Sequence, residues 1–304
     1  MAGSIRAWER GPRRSTASTR LPWRARRARS ASRSTPGSPS PRRGPTPVRR
    51  WFSLAVDGSR TLRIGALYPD LLNIYADRGN LMVLARRCRW RGLGCEITDV
   101  GLGEPLDPGR FDLLYLGGGQ DADQRRCGEE LAGEKGAALR EASEAGKVIL
   151  AVCGGFQLLG SSYVLGDESV PGARVLDLHT VREDGPRLIG NVAIEVDLPD
   201  AGGPRVLAGF ENHGGRTVLG ADQEPLGRVL RGHGNDGRSG FEGARTGNTI
   251  GTYLHGPLLP GNSWFADWLI STALGGLALS PLDDALEEEA HRAAQVAAGL
   301  TPGR

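Results

Sequence analysis

Cys153 stands where a buried-strand pattern gives way to a helix, and its neighbours are the ones a nucleophile needs. Residues 147–152 (KVILAV) form a short apolar, β-branched run of the kind a strand shows when both its faces are covered. Gly154 and Gly155 follow the cysteine, and Phe156, Leu158 and Leu159 then recur at helical spacing. A strand that turns into a helix at one polar residue is a nucleophile elbow, a tight turn that forces unusual backbone angles and lifts the side chain out of the sheet. The helix start aims free N–H groups at the sulfur, which lowers its pKa and predicts a populated thiolate near neutrality. The same N–H groups can receive an oxyanion. A buried structural cysteine beside a glycine turn is the competing explanation; glycines at both following positions favour the elbow.

A thiol nucleophile needs a base to take its proton and return it to the leaving group. Five histidines are available. His291 in a terminal helical segment and His233 in a Gly/Asn/Asp-rich loop read as exposed bystanders. His179, inside a strand pattern, reads as a hydrogen-bonded core imidazole. His213 lies in the polar turn ENHGGR (211–216), a candidate substrate wall together with Asn212. His255 ends the apolar run 250–254, just before Gly256 and Pro257. The carboxyl end of a strand faces the same rim as Cys153, so His255 is the expected base. Gly117, Gly118 and Gly119 end another strand pattern; their amides, with that of Gly154, can approach a reacting carbonyl and form an oxyanion hole. A plain glycine turn would look the same locally. No GxxxxGK[ST] occurs, so a P-loop for ATP is excluded.

The elements that must position these residues follow from periodicity. Strands are expected at 62–68, 95–100, 111–116 and 147–152, with helices at 80–90 and 129–145 between them. Such alternation predicts an α/β fold with a mostly parallel sheet flanked by helices, and ligands at the carboxyl ends of its strands. Beyond the elbow, short strands at 175–181, 188–196, 206–210, 217–219 and 249–254, separated by Gly- and Pro-rich turns, have an antiparallel character. Helices are expected at 264–274 and 282–298, the last acidic at its start and solvated.

The net charge of +3 conceals two unlike parts. Residues 1–50 carry 14 arginines and one acid, Glu9, leaving 24 basic and 34 acidic residues in the remainder. Residues 1–60, rich in Arg, Ser and Pro, lack apolar periodicity and are expected to be disordered. Nucleic-acid binding, a transit peptide and a start assigned too far upstream all fit that composition; the last is preferred, and nucleic acid is not an expected partner. The domain is placed at 61–275, with a helical tail at 276–304. Cys88, Cys95, Cys127 and Cys153 show no metal-ligand spacing and read as reduced cytoplasmic thiols. No apolar run reaches the roughly 20 residues that cross a bilayer.

At these residues the chain resembles the class I (triad) glutamine amidotransferases, with a flavodoxin-like sheet. It is most similar to their cobyric acid synthase-like group and, within that, to the glutaminase subunits of lipid II isoglutaminyl synthases. The matching pieces are YPDLLNIYADRGN (68–80), YLGGGQDADQ (115–124), AVCGGFQLLG (151–160), RLIGN (187–191), GFENHGGRT (209–217) and YLHGPLLP (253–260). The resemblance implies that Cys153 is the nucleophile, His255 the general acid/base, and Arg187 the holder of the α-carboxylate of L-glutamine. It implies hydrolysis of glutamine through a thioester, with ammonia passed to a MurT-like ATP-dependent ligase in a heterodimer. That partner would amidate D-glutamate of lipid II in peptidoglycan synthesis. ATP and Mg²⁺ are expected on the partner and no cofactor on this chain.

Two departures accompany the resemblance. Ala151 replaces the usual glycine two before the cysteine, a minor change. Many relatives have His-x-Glu, whereas here His255 is followed by Gly256 and Pro257. The orienting acid is therefore expected elsewhere in the chain or on the partner. Rival expectations are a cobyrinate-type or stand-alone amidotransferase, a γ-glutamyl hydrolase, and a catalytically silent partner-binding subunit.

Overall fold

A computed structural model describes residues 50–54, 60–74, 77–255 and 258–301. Strand β1 (Arg50–Leu54) precedes β2 (Thr61–Leu67), α1 (Arg78–Trp90), β3 (Gly94–Val100) and β4 (Leu113–Leu116). Helices α2 (Asp121–Leu131) and α3 (Glu134–Glu144) lead to β5 (Val148–Val152) and α4 (Gly154–Leu159). The second half holds β6 (Ser162–Leu165), β7 (Glu168–Pro171), β8 (Leu178–Arg182), β9 (Leu188–Val196), β10 (Arg205–His213), β11 (Gly215–Leu219), β12 (Gly227–Arg231) and β13 (Phe241–Glu242). It closes with β14 (Ala244–Thr246), β15 (Thr249–Thr252), α5 (Ser263–Ala273) and α6 (Ala285–Ala297).

The central sheet has the order β1-β3-β2-β4-β5-β15-β14. Its five inner strands are parallel, and β1 and β14 add antiparallel edges. Every residue of β4, β5 and β15 is buried, the burial expected of parallel strands covered on both faces. The expected α/β architecture is therefore present. Two four-stranded sheets, β10-β9-β12-β13 and β11-β8-β6-β7, make up the mainly antiparallel additions.

Four details differ from the sequence expectation. Residues 50–54, assigned by composition to the tail, pair with β3; of the rest of the expected disordered segment, 1–49 and 55–59 lie outside the described residues. The helix expected at 129–145 is two helices, and the first begins at Asp121. The chain breaks at Gly133, and a Cβ on Gly136 would lie 1.9 Å from Leu131 O, so α3 starts directly against the end of α2. The strand expected at 175–181 is shifted to 178–182, because Ala173, Arg174, Val175 and Leu176 donate backbone bonds to residues 158–160. The run 249–254 ends as a ladder at Thr252; Leu254 leaves it and His255 pairs instead with Phe210 of β10.

No residue of α6 is buried, as a solvated tail requires, yet the segment is tied down by charge. The Arg87 guanidinium on α1, 1% exposed, meets Asp267 of α5 at 2.5 and 2.6 Å and Asp284, the residue before α6, at 2.8 and 2.7 Å. Arg91 binds the same Asp267 carboxylate at 2.7 and 3.0 Å. Removing one member of a buried pair leaves an uncompensated charge. Asp267→Asn, which deprives two arginines at once, is expected to lower unfolding free energy by about 3 kcal/mol, whereas Arg87→Met, which leaves Asp267 paired with Arg91, costs less. Denaturant titration checks this; a loss below about 0.5 kcal/mol for Asp267→Asn contradicts it.

Candidate functional site

The elbow has the strained backbone that the sequence suggests. Cys153 itself adopts φ 50°, ψ −105°. Its amide donates to Thr252 O at 2.8 Å and its carbonyl accepts from Gln157 N at 3.0 Å, so β15 and the first turn of α4 hold the residue from either side. Gly154 and Gly155 are small for reasons of space, not of φ. A Cβ on Gly154 would lie 2.7 Å from Gly119 N, and one on Gly155 would lie 2.7 Å from Leu116 Cβ and 2.8 Å from Gly117 O. The end of β4 is thereby drawn against the start of α4.

The triple glycine is enclosed in the same way. A Cβ on Gly117 would lie 2.2 Å from Leu72 O, and one on Gly119 would lie 2.4 Å from Leu72 Cδ2. Of the proposed oxyanion donors, Gly119 and Gly154 adjoin each other. The Gly118 amide is engaged elsewhere, donating to Asp77 Oδ2 at 2.6 Å.

His255 is 1% exposed and reaches the same sheet edge as Cys153. The parallel register pairs Val152 with Thr252, so both chains leave the ladder side by side. His255 is fixed through its main chain, donating to Phe210 O at 2.7 Å and accepting from Phe210 N at 3.2 Å. Its Cε1 lies 3.3 Å from the point a Cβ on Gly118 would occupy. Gly256 and Pro257 lie outside the described residues.

β10 also ends at His213, whose ring stacks on Tyr253 at 3.6 Å between centroids and 5° between planes. Its Nδ1 is 2.8 Å from Gly215 O. Arg187 lies across the β9–β10 ladder and is held by Asn212, through Oδ1 at 2.8 Å and the main-chain carbonyl at 2.6 Å. Asn212 thus acts on Arg187. A cleft of about 740 Å³ is lined by Cys153, Gly119, Arg187 and His213, together with Gln124, Gln157, Tyr163, Asp121 and Arg182.

The last five residues were not singled out by sequence reasoning, and neither was Asp77. Gln124 and Asp77 fall within the motifs at 115–124 and 68–80, but nothing in their types marks them. Only the fold brings them beneath the turn at 117–119. Other histidines differ from expectation: His179 is exposed because its strand turns that face outward, and His291 is partly buried, its Nδ1 2.8 Å from Gly261 O. His233 is exposed as expected.

The electrostatics oppose the expected thiolate. Burial, reinforced by Asp77, pushes the Cys153 thiol up to about 12, against the opposing pull of Arg187 and the Gly154 N–H. Burial, with His213 and Arg187 adding to it, pushes His255 down to about 3. Asp77 is pushed up to about 7 by burial, although the Gly118 N–H favours its carboxylate. The site therefore holds its thiol and its imidazole in their neutral forms, with Cys153 lining the cleft and His255 behind its lining.

Residues 63–263 match the model of the CobB/CobQ-like glutamine amidotransferase domain. The chain is 37% identical to the GatD subunit of lipid II isoglutaminyl synthase (glutamine-hydrolyzing) of Streptococcus pneumoniae, across 70% of this chain and 80% of that one. It is also 37% identical to the subunit of the same name from Staphylococcus aureus, across 70% and 84%. A cobyric acid synthase of Pelotomaculum thermopropionicum is 34% identical, across 64% of this chain but 37% of that enzyme. The fold resembles a chain of the PurLQS structure from Thermotoga maritima, with a TM-score of 0.51, 19% identity and coverage of 71% and 99%.

A thiol near 12 has a pH signature. The thiolate fraction rises about tenfold per pH unit well below the pKa. Alkylation of Cys153 by iodoacetamide in the free chain, followed by mass spectrometry, is accordingly expected to accelerate about tenfold per unit between pH 7 and 9. A plateau below pH 8 would show a preformed thiolate instead.

Proposed function

Because the chain belongs to the CobB/CobQ-like glutamine amidotransferase family, whose enzymes hydrolyse glutamine, we propose that it is the glutaminase subunit of a lipid II isoglutaminyl synthase. The observation that carries the proposal is Cys153, held at φ 50° where β5 meets α4, with β15 delivering His255 to the same edge. Coverage of 80% and 84% of the two GatD subunits, against 37% of a cobyric acid synthase, favours this acceptor over cobyrinate.

In this reading Arg187 receives the α-carboxylate of L-glutamine, a bidentate task that Asn212 preorganises by fixing the guanidinium. Cys153 Sγ attacks the side-chain amide carbon while His255 takes the thiol proton. The oxygen that becomes negative lies toward the amides of Gly119 and Gly154. His255 returns the proton to the departing nitrogen, ammonia leaves, and a γ-glutamyl thioester remains. Water, deprotonated by His255, then attacks the thioester carbonyl; the C–S bond breaks, the departing sulfur takes the proton back from His255, and glutamate is released. Ammonia passes to a MurT-like ATP-dependent ligase that amidates D-glutamate of the lipid II stem peptide; ATP and Mg²⁺ belong to that partner.

Co-purified with such a ligase, the chain is expected to support glutamine-dependent amidation that falls at least about 10³-fold in Cys153→Ala, while amidation from ammonium salts persists. Unimpaired use of glutamine by Cys153→Ala would refute the assignment. Arg187→Met is expected to raise KM for glutamine by about 10–100-fold with a smaller change in kcat, the worth of a charged hydrogen-bond pair. A KM unchanged within about twofold would remove Arg187 from the carboxylate site.

A further inference from the structure

The glycine turn after β4 is placed by packing but oriented by hydrogen bonds. Close approach of Leu72 fixes where residues 117–119 run, without deciding how their peptide planes are rotated. Four bonds decide that. Gly117 O accepts from Gly155 N at 3.0 Å, and Gly118 O accepts from Ile74 N at 3.2 Å. Gly119 O accepts from Gln124 Nε2 at 3.2 Å, and Gly118 N donates to Asp77 Oδ2 at 2.6 Å. The last is the shortest of the four. In a trans peptide the N–H points opposite to the preceding C=O. With Gly118 O turned to Ile74, the Gly119 N–H is turned away from it, and Gly119 N lies 2.7 Å from where a Cβ on Gly154 would stand.

Asp77 is built for the task. It is 1% exposed, and its own carbonyl accepts from Asn80 N at 3.0 Å and Tyr115 Oη at 3.3 Å, while Asn80 Nδ2 donates to that same Tyr115 hydroxyl at 2.9 Å. Its second carboxylate oxygen, Oδ1, is buried and makes no hydrogen bond among the described residues. Only one oxygen of the carboxylate is used, and it is used on the turn.

We propose that Asp77 is a positioning residue: by holding the Gly118 amide it rotates the turn so that the amides of Gly119 and Gly154 converge on the oxygen of the attacked carbonyl. This rests on the amidotransferase reading, because such a pair of donors has a purpose only if Cys153 attacks a carbonyl. The role needs an acceptor, not a charge. It differs in that respect from a direct effect on the imidazole, which also lies near: Asp77 Oδ2 and His255 Cε1 are 3.1 and 3.3 Å from the same point beside Gly118.

The test is steady-state glutamine hydrolysis by the full chain in complex with its ligase, comparing Asp77→Ala, Asp77→Asn and the unsubstituted protein. Asp77→Ala is expected to lose about 10²-fold in kcat with KM for glutamine changed less than about threefold, the loss typical of one misplaced oxyanion donor. Asp77→Asn, whose side-chain oxygen replaces Oδ2, is expected to keep kcat within about threefold. A kcat for Asp77→Ala within about threefold of the unsubstituted protein overturns the inference, and so does an Asp77→Asn as slow as Asp77→Ala, which would assign the residue's charge to His255. If Asp77→Ala does not fold, Asp77→Asn decides alone: retention supports the role and a loss beyond about tenfold overturns it. Absence of hydrolysis by the unsubstituted complex overturns the amidotransferase reading itself, whereas hydrolysis undiminished by Asp77→Ala overturns only the role of Asp77.

Discussion

The parallel pairing of β15 with β5 is the constraint on which the site depends. It supplies Thr252 O to the Cys153 amide and so stabilises a non-glycine residue at positive φ, a conformation that costs of the order of 1–3 kcal/mol. The opposite side of β5 is held by β4, whose end lies so close to α4 that only glycine fits at 155. Gly251 on β15 leaves room for Phe156, since a Cβ there would lie 2.1 Å from its Cδ2. Strain at one residue is thus spread over three fully buried strands, and the same ladder directs the chain toward His255.

A second consequence of this burial is electrical. The environment that holds Cys153 firmly also removes water from its sulfur and from the imidazole, and both groups settle in their uncharged forms. In the mechanism proposed above, charge separation then waits until a carbonyl and its proposed oxyanion donors are aligned. Arg187, by contrast, is exposed at the rim of the cleft.

Much of this was legible beforehand. β-branched runs and terminal glycines located the parallel strands, because buried strands have few alternatives. The elbow was recognisable from Cys153 and the two glycines after it; the structure adds that those glycines allow neighbouring backbone to approach and that the unusual φ falls on the cysteine. Asp77, Gln124 and Gln157 were not recognisable, because their roles arise from segments distant in sequence meeting under one turn. The break at Gly133 was hidden by helix-forming neighbours. The thiol's protonation was misjudged because a six-residue helix offers less than the burial of Cys153, 6% exposed, removes.

Asp284 gives the carboxyl-terminal segment a standing that its hydrophobicity does not suggest. With no side chain of α6 in the core, residues beyond 276 resemble an appendage that could be shortened freely. Yet the carboxylate just ahead of that helix shares with Asp267 the neutralisation of a guanidinium sealed between α1 and α5. Tolerance of this region to shortening or to sequence drift is therefore set by that negative charge together with the bonds that His291 and the Ala297 carbonyl make to the domain, while the exposed side chains of the helix are free to vary.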